Sequence, residues 1–236
     1  MTKLIIANWK SNHNLQTAKD WAASVEGYLD SFRIDAKVVL APPYSLLAGL
    51  RRIADRTLVE LAVQNLSHQA VGSYTGEVCS RNLEGLGVRY AIVGHSERRR
   101  LFSETDELVA QKVLLAVDAG IKPIICLDEP YLKSQIQKVK DQLLENQVNI
   151  EDQDVIFAYE PISAIGSGQN ESREKVSQVA ELIREVYGAR CSVIYGGSVN
   201  AENLSEYLSI TDGVLVGGAS LQADSFIQML MIIENT

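Results

Sequence analysis

The chain has 236 residues, 46% hydrophobic and 22% charged, with a formal net charge of −8. This balance is that of an ordinary soluble globular protein without a broad basic face, so nucleic acid is excluded as a partner and an anionic ligand must be attracted locally. Cys79, Cys126 and Cys191 lack CxxC spacing, and His13, His68 and His95 form neither HxxxH nor HExxH, which predicts buried free thiols and no metal site.

Met1-Thr2-Lys3 runs into four apolar residues, too few for a signal peptide or a membrane span, so a cytoplasmic location without membrane attachment is expected. Eight short apolar runs then recur: Leu4–Trp9, Lys37–Ala41, Leu58–Val63, Tyr90–Val93, Lys122–Leu127, Asp154–Tyr159, Cys191–Tyr195 and Asp212–Val216. Most are near-continuously apolar and β-branched, as parallel strands buried on both faces must be. Amphipathic patterns lie between them. After the first run, Ala18, Trp21, Ala22, Val25, Tyr28 and Leu29 share a helical face, and after the second Leu46, Leu47, Leu50, Ile53 and Ala54 do so. Val109, Val113, Ala116 and Val117 follow the fourth run, with Thr105 placed to cap and Gly120 to terminate. Ile136, Val139 and Leu143 give a thinner stripe after the fifth. Val176, Val179, Ala180, Ile183 and Val186 follow the sixth, with Ser172 as N-cap. Shorter helices are expected over roughly Ser80–Leu86, Asn203–Leu208 and Phe226–Ile233.

No linker, charge block or low-complexity segment divides the sequence, so residues 1–236 are read as one domain. Eight such units predict an α/β fold of the (β/α)₈ barrel type rather than an open doubly wound sheet. No GxGxxG follows the first run, so no dinucleotide cofactor is expected. In a barrel the carboxyl ends of the strands converge on one face, and apart from Pro42-Pro43 after the second run these ends are polar, charged or glycine-bearing: Asn8 and Lys10, Gln64-Asn65, His95 and Glu97, Glu129, Glu160, Gly196-Gly197-Ser198, and Gly217-Gly218.

Glu160 is a lone acid ending a buried run and is followed by Pro161, which stops the strand, and by a loop carrying Gly166 and Gly168. It reads either as an acid capping a strand end or as a catalytic group. Lys10 is either a solvated lysine, the commoner fate of a single lysine, or a fixed cation for an anion, with Asn8 beside it to orient it. His95 stands at a strand end and opens a segment whose Ser96 can cap a helical turn. Amide donors there favour neutral imidazole. Glu97 is read as a partner for Lys10 or an arginine. The paired glycines at 196–197 and 217–218 let backbone N–H groups approach an anion, and two such turns at successive strand ends favour a phosphate cradle over a pair of tight turns.

Together the segments Ala7–Asn12, Val93–Arg99, Ala158–Pro161, Ala164–Gly168, Tyr195–Asn200 and Asp212–Leu221 resemble the triosephosphate isomerase family, in family order from first strand to last. The resemblance implies interconversion of dihydroxyacetone phosphate and D-glyceraldehyde 3-phosphate through an enediolate, a reaction of glycolysis and gluconeogenesis that needs no cofactor. It implies that Glu160 is the base, His95 the neutral electrophile, and Lys10 with Asn8 the cation near the substrate. Gly166, Ser198, Gly217 and Gly218 correspond to phosphate-gripping positions, and Ile162–Gly168 to a lid. The segment Asn65–Cys79 resembles the family's dimer loop, which implies a homodimer with Thr75 approaching the partner's site.

Two departures stand out. Pro161-Ile162-Ser163 replaces the family's Pro-Val-Trp at the first hinge, removing an indole. Cys126-Leu127-Asp128-Glu129 replaces Cys-x-Gly-Glu, adding a charge near the lid's base. The fifth and sixth helices also look short. The alternative readings are another phosphate-binding barrel enzyme, such as a lyase or synthase acting on a sugar phosphate, and a degenerate isomerase barrel serving as a binding or dimerisation module.

Overall fold

Eight parallel strands close into a barrel in the computed structural model, each hydrogen-bonded to its chain neighbour and β8 to β1. They are β1 (Lys3–Asn8), β2 (Ala36–Ala41), β3 (Val59–Val63), β4 (Val88–Val93), β5 (Lys122–Leu127), β6 (Ile156–Tyr159), β7 (Ser192–Tyr195) and β8 (Gly213–Val216). The helices are α1 (Leu15–Ser31), α2 (Leu47–Arg56), α3 (Ser96–Phe102), α4 (Asp106–Asp118), α5 (Leu132–Glu145), α6 (Arg173–Tyr187), α7 (Leu204–Leu208) and α8 (Ala223–Glu234). The structure describes residues 2–149, 154–161, 170–188 and 190–234.

Side chains alternate across each strand, and that alternation builds two cores. Leu4, Ile6, Val39, Ile92, Ile124, Ile156, Ala158, Ile194 and Leu215 fill the barrel interior. Ile5, Ala7, Val38, Leu40, Val93, Ile125, Phe157 and Val193 face the helices. Each fully buried Ile, Leu or Phe contributes about 1.5–3 kcal/mol, which is why both faces must be apolar. Gly213 is required by close approach, since a Cβ there would lie 2.1 Å from the Leu4 carbonyl oxygen.

The expected helices are present with three corrections. The third unit holds only a 3₁₀ turn, Ser80–Leu83. The segment after His95 is a seven-residue helix, α3, rather than a single turn. Finally, α5 and α6 are not short, at 14 and 15 residues. The buried stripes also shift slightly: Tyr187 rather than Val186 completes α6, and Lys112 rather than Val117 is buried on α4. Thr105 and Ser172 cap α4 and α6 as expected. Gly120, at φ 68°, follows α4 in the left-handed region that glycine tolerates. All three cysteines are free and buried.

Candidate active site

The same alternation carries chemistry to the barrel's mouth. Continuing the inward positions of each strand by one step gives Asn8 after Leu4 and Ile6, Glu160 after Ile156 and Ala158, Gly196 after Ile194, and Gly217 after Leu215. His95 breaks this parity. Gly94 at φ 69° turns the chain before it, and a Cβ there would meet Val109 and Arg99 at 2.9 Å. Asn8, Lys10, His95, Glu160, Gly196, Gly197, Ser198, Gly217 and Gly218 then line one cavity of about 350 Å³.

Glu160 is 1% exposed. Its Oε2 accepts from the Ser96 N–H at 3.0 Å, and its Oε1 lies 3.2 Å from His95 Nε2. His95 Nδ1 lies 3.1 Å from the Glu97 amide nitrogen. A backbone N–H can only donate, so Nδ1 is an acceptor and the ring proton of neutral imidazole sits on Nε2, facing Glu160. His95, not Ser96, is the N-cap of α3. Cys126 lies beside Glu160. Burial first, and then the Glu160 carboxylate, push its thiol well above the ordinary range, so it stays uncharged next to the acid.

Lys10 stands in the left-handed region at φ 52°. For a residue other than glycine this costs on the order of 1 kcal/mol and persists only where neighbours impose it. Those neighbours are visible. The Lys10 N–H donates to Asn8 Oδ1 at 3.2 Å, and the Lys10 carbonyl accepts from Gln64 Nε2 at 2.8 Å. The ammonium pairs with Glu97 Oε1 at 2.6 Å. Burial opposes ionisation of Glu97. The hydrogen bond and charge of Lys10, with smaller help from Arg100, outweigh it and hold that carboxyl below its usual range.

On the opposite wall glycines line the cavity. A Cβ on Gly196 would lie 3.0 Å from Glu160 Cγ, and one on Gly197 would fall 2.1 Å from the Tyr195 hydroxyl. Gly217 faces Lys10, and a Cβ there would lie 3.5 Å from its Cε. The turn after β8 is braced from behind. Ser220 Oγ donates to the Gly217 carbonyl at 2.7 Å, and the Trp21 indole donates to the Ser220 carbonyl at 3.0 Å. Trp21 in turn packs edge-on against buried Trp9.

Gly166, Ser163 and the whole segment Ile162–Gly168 lie outside the described residues. Thr75 is exposed and does not line the cavity of its own chain. Asp128 is not a bare charge: Gln135 Nε2 donates to Asp128 Oδ1 at 2.5 Å, and the Asp128 N–H donates back to Gln135 Oε1 at 3.1 Å. Glu129 pairs with Lys175 at 2.7 Å. The Ser96 amide, the Gln64 brace and Asn170 on the cavity wall are contributions that reading the sequence did not single out. The first is a main-chain group and leaves no residue signature. Gln64 was visible only as one more polar strand end. Among the described residues no group of His, Cys, Asp and Glu could hold a metal ion, and no helix is long and apolar enough to cross a membrane.

This geometry can abstract a carbon-bound proton with Glu160, polarise an oxygen with His95 and Lys10, and hold an anion on the glycine turns. Residues 3–233 match the family model described as triosephosphate isomerase. A triosephosphate isomerase of Nitrosococcus oceani is 37% identical over 96% of this chain and 96% of its own length. One of Thermus thermophilus is 37% identical over 97% and 98%. One of Mesomycoplasma hyorhinis is 39% identical over 97% and 98%. With the barrel closed and this cavity at its mouth, the chain belongs to the triosephosphate isomerase family.

Proposed function

We propose that the enzyme interconverts dihydroxyacetone phosphate and D-glyceraldehyde 3-phosphate, with Glu160, His95, Lys10 and Asn8 as its chemical groups. The observation that carries this is the convergence of a buried carboxylate, a neutral imidazole proton on Nε2 and an ammonium in one cavity with two glycine turns. Glu160 takes the proton from one carbon and returns it to the next. To reach the substrate its oxygens must leave the Ser96 amide and the His95 ring, which frees the Nε2–H to donate to the enediolate oxygens. A neutral donor suits this task, since it hydrogen-bonds the oxyanion without placing a cation against Glu160, which would pair with the carboxylate and weaken it as a base. Lys10 supplies the local positive charge that an overall acidic chain lacks. Ser198, Gly217 and Gly218, with Gly166 outside the described residues, are assigned to the phosphate.

The whole chain is read as one barrel domain working in the cytoplasm as a homodimer. The segment between β3 and the 3₁₀ turn supports the dimer. Its neck is closed by the Ser67 N–H donating to the Val78 carbonyl at 2.8 Å, while Val71 and Tyr74 are 61% and 42% exposed. Leu101 and Phe102 are also largely exposed. These apolar groups suit a second copy of the chain, whose cavity Thr75 would approach. A coupled assay of triose phosphate isomerisation by purified protein tests the activity, and light scattering tests the dimer. A protein that grips inorganic phosphate but does not isomerise would instead favour the binding-module reading.

A further inference from the structure

The point where the chain enters α6 is held by more than a helix start needs. Ser172 already caps α6, accepting from the Lys175 N–H at 3.3 Å, and the Glu171 carboxylate accepts from the Ser172 N–H at 2.9 Å. Beyond this, the Glu171 peptide is gripped on both sides. Its N–H donates to the Tyr195 hydroxyl at 3.1 Å, and its carbonyl accepts from the Tyr207 hydroxyl at 2.7 Å. The two rings stack with centroids 4.1 Å apart and 26° between planes.

Tyr195 ends β7 and Tyr207 lies on α7, and both are at most 1% exposed. Packing alone does not call for phenols here, because two phenylalanines would stack as well and bury no polar group. Burial is the first cause raising both phenols, so each hydroxyl keeps its proton at neutral pH. The hydroxyls therefore serve the Glu171 peptide, and that peptide adjoins the cavity. Asn170 lines it together with Gly196, Gly197 and Ser198, which follow directly from Tyr195.

We propose that Tyr207 is a positioning residue of the isomerase site. It fixes the Glu171 peptide against the β7 glycine turn and thereby sets Asn170 on the wall beside the phosphate-binding backbone. Tyr207 touches no substrate and acts through Glu171 and its stack on Tyr195. The inference rests on the isomerase reading above for its consequence in catalysis, but its consequence for anion binding stands independently.

Tyr207→Phe keeps the ring and the stack and removes one donor. Steady-state kinetics with glyceraldehyde 3-phosphate, calorimetric titration with inorganic phosphate and thermal unfolding are compared with wild type. Tyr187→Phe is the control: Tyr187 is a buried phenol on α6 whose hydroxyl has no partner among the described residues. Expected for Tyr207→Phe is a rise of about 3- to 10-fold in KM and in the phosphate Kd, with kcat within about twofold. Tyr187→Phe should leave all three in place. A KM and Kd equal to wild type, with or without a lower Tm, would overturn the proposal and make Tyr207 a structural residue. So would an equal rise in the Tyr187→Phe control. An inactive wild type whose phosphate binding is nonetheless weakened by Tyr207→Phe would discard the isomerase reading and keep the positioning role.

Discussion

On the β1–β4–β6 side of the cavity each working group is a side chain held by another polar group. Glu160 rests on the Ser96 amide and the His95 ring, His95 on the Glu97 amide, and Lys10 on Glu97. On the β7–β8 side the groups proposed to bind are main-chain, and the side chains that matter are those missing at 196, 197 and 217. The first side is tuned by which functional group stands where, and its members can change without disturbing the barrel core. The second is tuned by empty volume, so a single methyl affects fold and binding together. Substitutions on the two sides should therefore fail differently.

The largest effect is expected on the first side. Glu160→Asp withdraws the carboxylate by one methylene, and a misplacement of about 1 Å costs on the order of 100-fold. Turnover should fall by about that factor while Tm stays close to wild type. Near-normal kcat in purified Glu160→Asp would remove Glu160 from the role of base.

Lys10→Met comes next. It deletes the cation proposed to meet the substrate; a charge-assisted contact is worth about 1.5–3 kcal/mol, so affinity for a phosphate-bearing inhibitor should drop about 10- to 100-fold. Isothermal titration reads this directly, and unchanged affinity would leave Lys10 as a surface lysine. Its strained backbone is braced by Asn8 and Gln64 rather than by its own ammonium, so the fold should survive.

Gly197→Ala tests the other side. The new Cβ would fall 2.1 Å from the Tyr195 hydroxyl, so the ring must move or the turn must open. Overpacking of this kind costs about 1–3 kcal/mol. KM should rise about tenfold and Tm should fall with it, in contrast to Glu160→Asp. A loss of kcat with KM and Tm intact would show that the two sides are not separable in this way.

The contrast also explains what could be read in advance. Strands were legible because burial on both faces leaves near-continuous apolar runs such as Val38–Ala41 and Ile156–Tyr159. Side-chain chemistry was legible because inward alternation carries Asn8 and Glu160 to the mouth. The length of α5 was obscured by Gln135, a polar residue on the buried face, tolerated there because it is bonded to Asp128. Lys112 was unreadable for the same reason, buried only because Glu104 and Asn65 receive its ammonium. The Ser96 and Glu171 amides were unreadable because a backbone group carries no residue identity. Nothing in the sequence marks Tyr207, because the carbonyl its hydroxyl meets lies 36 residues away.

The smallest effect expected is a pH dependence of stability located in the Lys10–Glu97 pair. The folded pKa of Glu97 is depressed, so its contribution is fully present above the unfolded carboxyl value near 4.5 and is lost as pH falls through the lower folded value. The side chain is 34% exposed, so solvent screening limits the contribution to within about 1 kcal/mol. Tm of wild type and Lys10→Met, measured from pH 7 down to about 3, should differ by a small constant above the carboxyl range. The gap should then narrow as Glu97 takes up its proton. Added salt should narrow it at pH 7 as well, because a pair this open to water is screened. A gap that widens toward low pH would mean that Lys10 contributes to stability through its stem or its strained backbone rather than through Glu97. Its place in the cavity would then be set by Asn8 and Gln64 alone.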